Sequence, residues 1–126
     1  MLQWYRHDGA TPLPGLTFGV VGPGETYFEK HSEYIQAVLK NLGGATVNDV
    51  VVEFLPVDTF MIHEYVEVAV GATQPDPGEF VDYASLPLDV GNIAPSGEVR
   101  LWFNCVVPAY AQRLTGQYAR IRAYGA

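Results

Sequence analysis

The sequence predicts an all-β antiparallel sandwich or barrel, and three observations carry that expectation. Apolar residues recur at period 2 in segment after segment. Val, Tyr, Phe, Thr and Ile, which suit a pleated half-buried surface, are common. Thirteen glycines and nine prolines are spread along all 126 residues, punctuating the chain at short, regular intervals. No stretch combines a 3.6-residue period with helix caps. One domain is expected at this length. Residues 1–14, with Pro12 and Pro14, read as an N-terminal arm or edge strand, and residues 15–126 as the sandwich.

Taken in order, Leu16 to Val21 is a short strand closed by Gly22-Pro23-Gly24. Glu29 to Leu39 is the best helical candidate, but Ile35, Ala37 and Leu39 alternate against Gln36 and Lys40, so a strand is expected, ended by Asn41-Leu42-Gly43-Gly44. Thr46 to Val57 puts Val50, Val52 and Phe54 on one face. Phe60 to Val70 does the same with Ile62, Val66, Val68 and Val70, Glu64 being the exception. Between Gly71 and Gly97 the period breaks. Thr73 to Gly78 is a loop, Phe80 to Leu88 holds at most one or two short strands, and Pro95-Ser96-Gly97 is a tight turn. Val99, Leu101, Phe103, Cys105 and Val107 form the cleanest alternation. The last strand, Gln117 to Tyr124, divides Ala119, Ile121 and Ala123 from Tyr118, Arg120, Arg122 and Tyr124. The expected core includes Ile35, Leu39, Val50, Val52, Leu101, Phe103 and Ile121.

Net charge is −7, from seven Lys and Arg against fourteen Asp and Glu. Phosphate binding needs clustered cations, so neither nucleic acid nor an anionic membrane is an expected partner. No apolar run approaches the roughly 20 residues of a membrane-crossing helix, and the first residues lack the pattern of a signal peptide. Cys105 is the only cysteine. A disulfide within the chain is therefore impossible, and the core side of its strand is where a small apolar filler belongs. His7, His31 and His63 have no ligand spacing, so no metal site is expected. No nucleophile elbow is present, and Asp76, Glu79 and Asp82 lack the spacing of a calcium loop. The expectation is a non-enzymatic protein without catalytic residues, cofactor or metal.

Turn and strand signals then recur in a suggestive order. Leu16-Thr17-Phe18-Gly19-Val20-Val21 with Pro23-Gly24 opens the series. Leu39-Lys40-Asn41-Leu42-Gly43-Gly44 and Val50-Val51-Val52 follow. Ile93-Ala94-Pro95-Ser96-Gly97-Glu98 precedes the strand holding Trp102, then come Val107-Pro108-Ala109 and Gly116-Gln117-Tyr118. This is similar to immunoglobulin-like sandwiches of the hydin and CARDB types. It also resembles small structural proteins encoded in tailed-phage morphogenesis clusters. The resemblance spans about residues 15–126 and implies an immunoglobulin-like antiparallel β-sandwich that works by docking. Such a chain would be made in the host cytoplasm and reside in the virion as a head decoration, tail or baseplate component. Its partners would be other virion proteins, in many copies within a symmetric particle. The disulfide and tryptophan arrangement of antibody domains is absent.

Three places are candidate interfaces. Trp4 and Tyr5 are large aromatics that either tuck into their own domain or dock on a neighbour. Pro75, Asp76 and Pro77 lie in a loop longer than a hairpin needs. Tyr118, Arg120, Arg122 and Tyr124 share one strand face and combine the two residue types most enriched at interfaces. The alternative is a free-standing ligand- or carbohydrate-binding module, for which Tyr65, Tyr83 and Trp102 are the available aromatic platforms.

Overall fold

The computed structural model describes residues 1–19, 21–55, 62–111 and 117–126; the side chains of residues 62, 63, 117 and 118 lie outside the description. The chain folds as an all-β antiparallel sandwich, the predicted class. Its strands are β1 (Leu2–Arg6), β2 (Leu16–Gly19), β3 (Ile35–Asn41), β4 (Val47–Leu55), β5 (Val66–Val70), β6 (Leu88–Ile93), β7 (Glu98–Cys105) and β8 (Gln117–Tyr124), with one short helix, α1 (Tyr27–His31). Sheet one has the order β1-β3-β7-β5 and sheet two the order β2-β8-β4-β6. Odd strands thus fill one sheet and even strands the other, and every connection crosses between them.

The pairs β2·β8, β3·β7 and β4·β6 are nested in sequence, and a single bridge from Val68 to Val81 continues the nesting. A long antiparallel ribbon with its tip in residues 71–80 is therefore rolled up, until β8 also meets β4 and β7 also meets β5. That is jelly-roll wiring. Constant-type immunoglobulin sandwiches, by comparison, keep several consecutive strands paired within one sheet.

Local chemistry explains where the elements differ from the sequence expectation. The segment expected as one strand from Glu29 splits. Thr26 caps α1 by accepting from the Glu29 N–H at 3.0 Å, and Ser32 at φ 56° ends the helix. Only then does β3 begin. Ile62–Tyr65 is a 3-10 turn, which accounts for Glu64 breaking the alternation; Phe60 and Met61 lie outside the described residues. The region from Gly71 to Gly97 contains β6, whose period is disturbed by two register shifts against β4 and by Gly91 at φ +82°. In place of strands over 80–88 there are the Val81 bridge and a 3-10 turn at Tyr83–Ser85.

The core lies between the sheets. Leu39, Val50, Val52, Leu101, Phe103 and Cys105 are buried as expected, together with Leu16, Phe18, Phe54, Val66 and Val68. Each such side chain contributes about 1.5–3 kcal/mol when fully buried. Ile35 and Ile121 are only half-buried and pack against this cluster from its margin: Ile35 is the first residue of β3, and Ile121 lies beyond Ala119, where the β2 ladder on β8 stops. Phe103 is central, with Trp4 and Phe54 edge-on at centroid distances of 6.4 and 5.9 Å.

Every sheet edge is blunted. Residues 11–13 fold back on β1 through Arg6 N–H to Thr11 O (2.7 Å) and Leu13 N–H to Trp4 O (3.1 Å). The turn that allows this is tied by Asp8, whose carboxylate accepts from the Thr11 hydroxyl and from the Thr11 and Ala10 N–H groups; these bonds hold its pKa well below the usual range. Val81 covers β5. In sheet two, β2 has four residues and a register shift, and β6 is bulged. Short, bulged or covered edges resist strand-to-strand addition.

Candidate docking surface

The two outer faces of the sandwich are finished differently. On sheet one, the chain's own segments form a third layer. Val38 is 1% exposed and Trp102 7%, although both point away from the inter-sheet core. Trp102 Nε1 donates to Gly71 O at 2.8 Å, pinning the start of the 71–81 loop. Tyr34 stacks between Phe28 and Phe80, at 4.4 and 4.6 Å. Beneath them the Phe28 N–H donates to Asn104 Oδ1, and Asn104 Nδ2 donates to Glu67 Oε1, both at 3.0 Å. Burial, then Glu67 and Asp76, push the Tyr34 hydroxyl pKa up.

These contacts decide the fate of two candidate groups. Pro75 is buried within the outer layer, so it is not part of an open surface as the sequence reading expected. Asp76 and Pro77 remain exposed, and the Asp76 N–H donates to Glu79 Oε2 at 2.8 Å. Trp4 is likewise turned into its own domain, against Phe103, because β1 pairs with β3 from Leu2 to Arg6 and so fixes which residues face the core. Tyr5 lies on the other face with the Lys40 ammonium 5.1 Å from its ring centroid.

Among the described residues, no such third layer lies over the outward side chains of β4 and β8. Alternation puts Val50, Val52 and Phe54 inward, so Val51, Glu53 and Leu55 face out. Their cross-strand neighbours are Tyr124, Arg122 and Arg120. Arg122 is ion-paired with Glu53, and its guanidinium carbon stands 5.1 Å from the Tyr124 ring centroid. Arg120 and Arg122 are exposed, Tyr124 is 45% exposed, and Val51 and Leu55 are half-buried. The backbone of Tyr118, on the same strand β8, pairs with Thr17 of β2, while its side chain lies outside the described residues. The predicted strand face therefore exists, and β4 adds Val51, Glu53 and Leu55 to it. The sequence signal for those three was the inward set Val50, Val52 and Phe54, which leaves their neighbours facing out.

Other candidates are dispersed. Cys105 is fully buried, and burial first, then Glu67, pushes its thiol pKa up to about 12. His7 is exposed, His31 stacks on Tyr27 at 4.2 Å, and the His63 side chain lies outside the description. Among the described residues no three His, Cys, Asp or Glu side chains converge as a metal-ligand group. Among the described residues no helix is long and apolar enough to cross a membrane. Trp102 is sealed beneath the 71–81 loop, so it cannot join Tyr65 and Tyr83 in one sugar platform. A cleft of about 440 Å³ opens between the start of β2 and the turn after α1, with Arg6, Glu33, Gln36, Thr17 and Tyr27 in its lining. No family model, curated protein or solved structure matches the chain.

Proposed function

We propose that the chain is a virion structural protein, a head decoration or a tail or baseplate component, that works by docking in a symmetric assembly. The observation that supports this most is the unequal finish of the two faces. The chain lays its own segments over part of sheet one, whereas on sheet two Arg120, Arg122 and Tyr124 stand exposed among the described residues. Arg and Tyr combine flat apolar area with directed donors, the chemistry of interface centres. Jelly-roll wiring also favours the reading, since viral capsid domains are among the recurrent users of that architecture. With edges blunted, contacts run face to face, and many weak copies gain strength by repetition. The surplus of negative charge limits association away from the assembly.

Antibodies raised against the folded protein test the assignment on negatively stained particles from producing cells. Regular labelling of heads or tails is the expected result. Protein found only free in the lysate, with unlabelled particles, overturns it. The roughly 440 Å³ cleft supports the alternative of a ligand-binding module, because its size falls within the range of small-molecule sites. A glycan array with consistent binding, abolished by Arg6→Ala and Glu33→Gln, would favour that alternative.

A further inference from the structure

From the charge and side-chain pattern of the open face we infer that its occupant is a second copy of this chain, packed sheet two against sheet two across a two-fold axis. The inference rests on the docking reading of that face and goes beyond it by naming the partner.

Three rows cross from β4 to β8: Val51 with Tyr124, Glu53 with Arg122, and Leu55 with Arg120. A two-fold axis parallel to the strands, above the gap between β4 and β8, exchanges the two columns and leaves each row in place. Every β8 side chain then meets the residue type of its own cross-strand neighbour. Arg122 faces Glu53 of the partner subunit. Tyr124 lies over Val51 of the partner subunit, and the aliphatic stem of Arg120 over Leu55 of the partner subunit. Opposite charges meet in the middle row, and apolar area meets apolar area on both sides of it. An axis perpendicular to the strands would instead set Arg122 over its own copy. A self-complementary patch is the requirement of a two-fold contact, and aligned packing of sheet faces is a standard geometry.

The rest of the molecule directs association to this face. Residues 71–81 and α1 lie over the outer face of sheet one at β7, and the sheet edges are bulged or covered. At net −7, two copies repel over most of their surface. The middle row is charge-balanced, with one arginine against one glutamate, so repulsion is weakest there and mutual charge pairing is possible.

Sedimentation velocity on the purified full chain across a wide concentration range is the primary test. Mass rising from the monomer to twice that value is expected. Arg122→Glu and Glu53→Arg should each weaken the dimer at least about tenfold, by setting like charges opposite each other. The double exchange in one chain should restore it. Tyr124→Ser leaves the ion pair intact and should also weaken the dimer, with unchanged circular dichroism as the fold control. A second readout does not depend on the ion pair. An oxidised equimolar mixture of Leu55→Cys and Arg120→Cys chains should form a covalent heterodimer, in excess of what either chain forms alone. Buried Cys105 takes no part. A parent that stays monomeric at all concentrations, or a dimer indifferent to the single reversals and to Tyr124→Ser, overturns the inference. A monomer that still labels particles overturns self-pairing alone. Unlabelled particles beside a two-fold dimer overturn the virion reading alone.

Discussion

Asn41 ties two turns together from a fully buried position. Its Nδ2 donates to Ala45 O at 2.8 Å and to Ile93 O at 2.9 Å, and its Oδ1 accepts from the Gly43 N–H at 2.9 Å. Its backbone binds Gly97 O and the Ser96 N–H. One side chain thus joins the β3–β4 turn to the β6–β7 turn. Asn41→Ala removes the side-chain bonds to two carbonyls and one N–H, and each of these groups left buried and unpaired costs about 1–3 kcal/mol. A total loss of at least about 2–3 kcal/mol is expected after partial rescue by water, measured as a lower urea midpoint. In the sequence Asn41 is visible only as the start of a turn, because its partners are 52 and 4 residues away. Cys105 gives a pH-dependent prediction. Its folded pKa is raised from 9.0 to about 12, so the buried thiol stabilises the fold below pH 9, and this contribution is lost as pH rises from 9 toward 12. The raised Tyr27 and Tyr34 pKa values act in the same direction. Unfolding free energy should therefore fall on the alkaline side, and thiol reagents at pH 8 should label Cys105 only at the unfolding rate. Rapid labelling of native protein would show that the burial is breached.

At the scale of elements, strands were legible where one face is buried and the other wet. β4 follows the period-2 burial pattern, and in β7 the apolar alternation marks the inward Leu101, Phe103 and Cys105, in both cases with no knowledge of the partner strand. Legibility failed where a third layer covers the outer face. Val38 and Trp102 sit at positions the alternation assigns to solvent yet are buried, Trp102 with its indole bonded to Gly71 at the start of the 71–81 loop. It failed again at β6, because bulges and a positive-φ glycine erase the period. β1 was legible as an arm or an edge strand, and its five ladder partners in β3 make it a strand. Trp4 is therefore part of the core. Trp4→Ala should cost about 2–4 kcal/mol, somewhat below the roughly 3–5 kcal/mol of a fully buried large aromatic, because the ring is only partly covered. Thermal unfolding checks this, and a variant as stable as the parent would return Trp4 to the list of docking residues. Deleting residues 1–10 strips β3 of its neighbour and uncovers Leu39 beneath Trp4, so the truncated chain should be strongly destabilised in isolation.

The wiring of the whole molecule leads to the least intuitive expectation. Consider a break between Thr73 and Gln74, both exposed and near the tip of the rolled ribbon. The first fragment keeps β1 to β5 and the second β6 to β8. Of the six strand pairs among the described residues, only β1·β3 lies within one fragment; β2·β8, β3·β7, β4·β6, β4·β8 and β5·β7 all join the two. The second fragment contains no strand pair at all. Sheet stability arises from cross-strand pairing and a shared buried face, so neither fragment has a core to close alone. Mixed together, they regain every ladder. The break removes only the connection through the tip, whose closure entropy grows slowly with loop length. Two peptides that are disordered by circular dichroism when separate should therefore yield the β-sheet spectrum and Trp102 burial of the intact protein when combined. Association should be slow, because pairs such as Leu16 with Ala119 are remote in sequence and non-local topologies fold in milliseconds to seconds. A first fragment that folds alone would mean that the sheets pair differently from the nested order, and the jelly-roll wiring would fall with it.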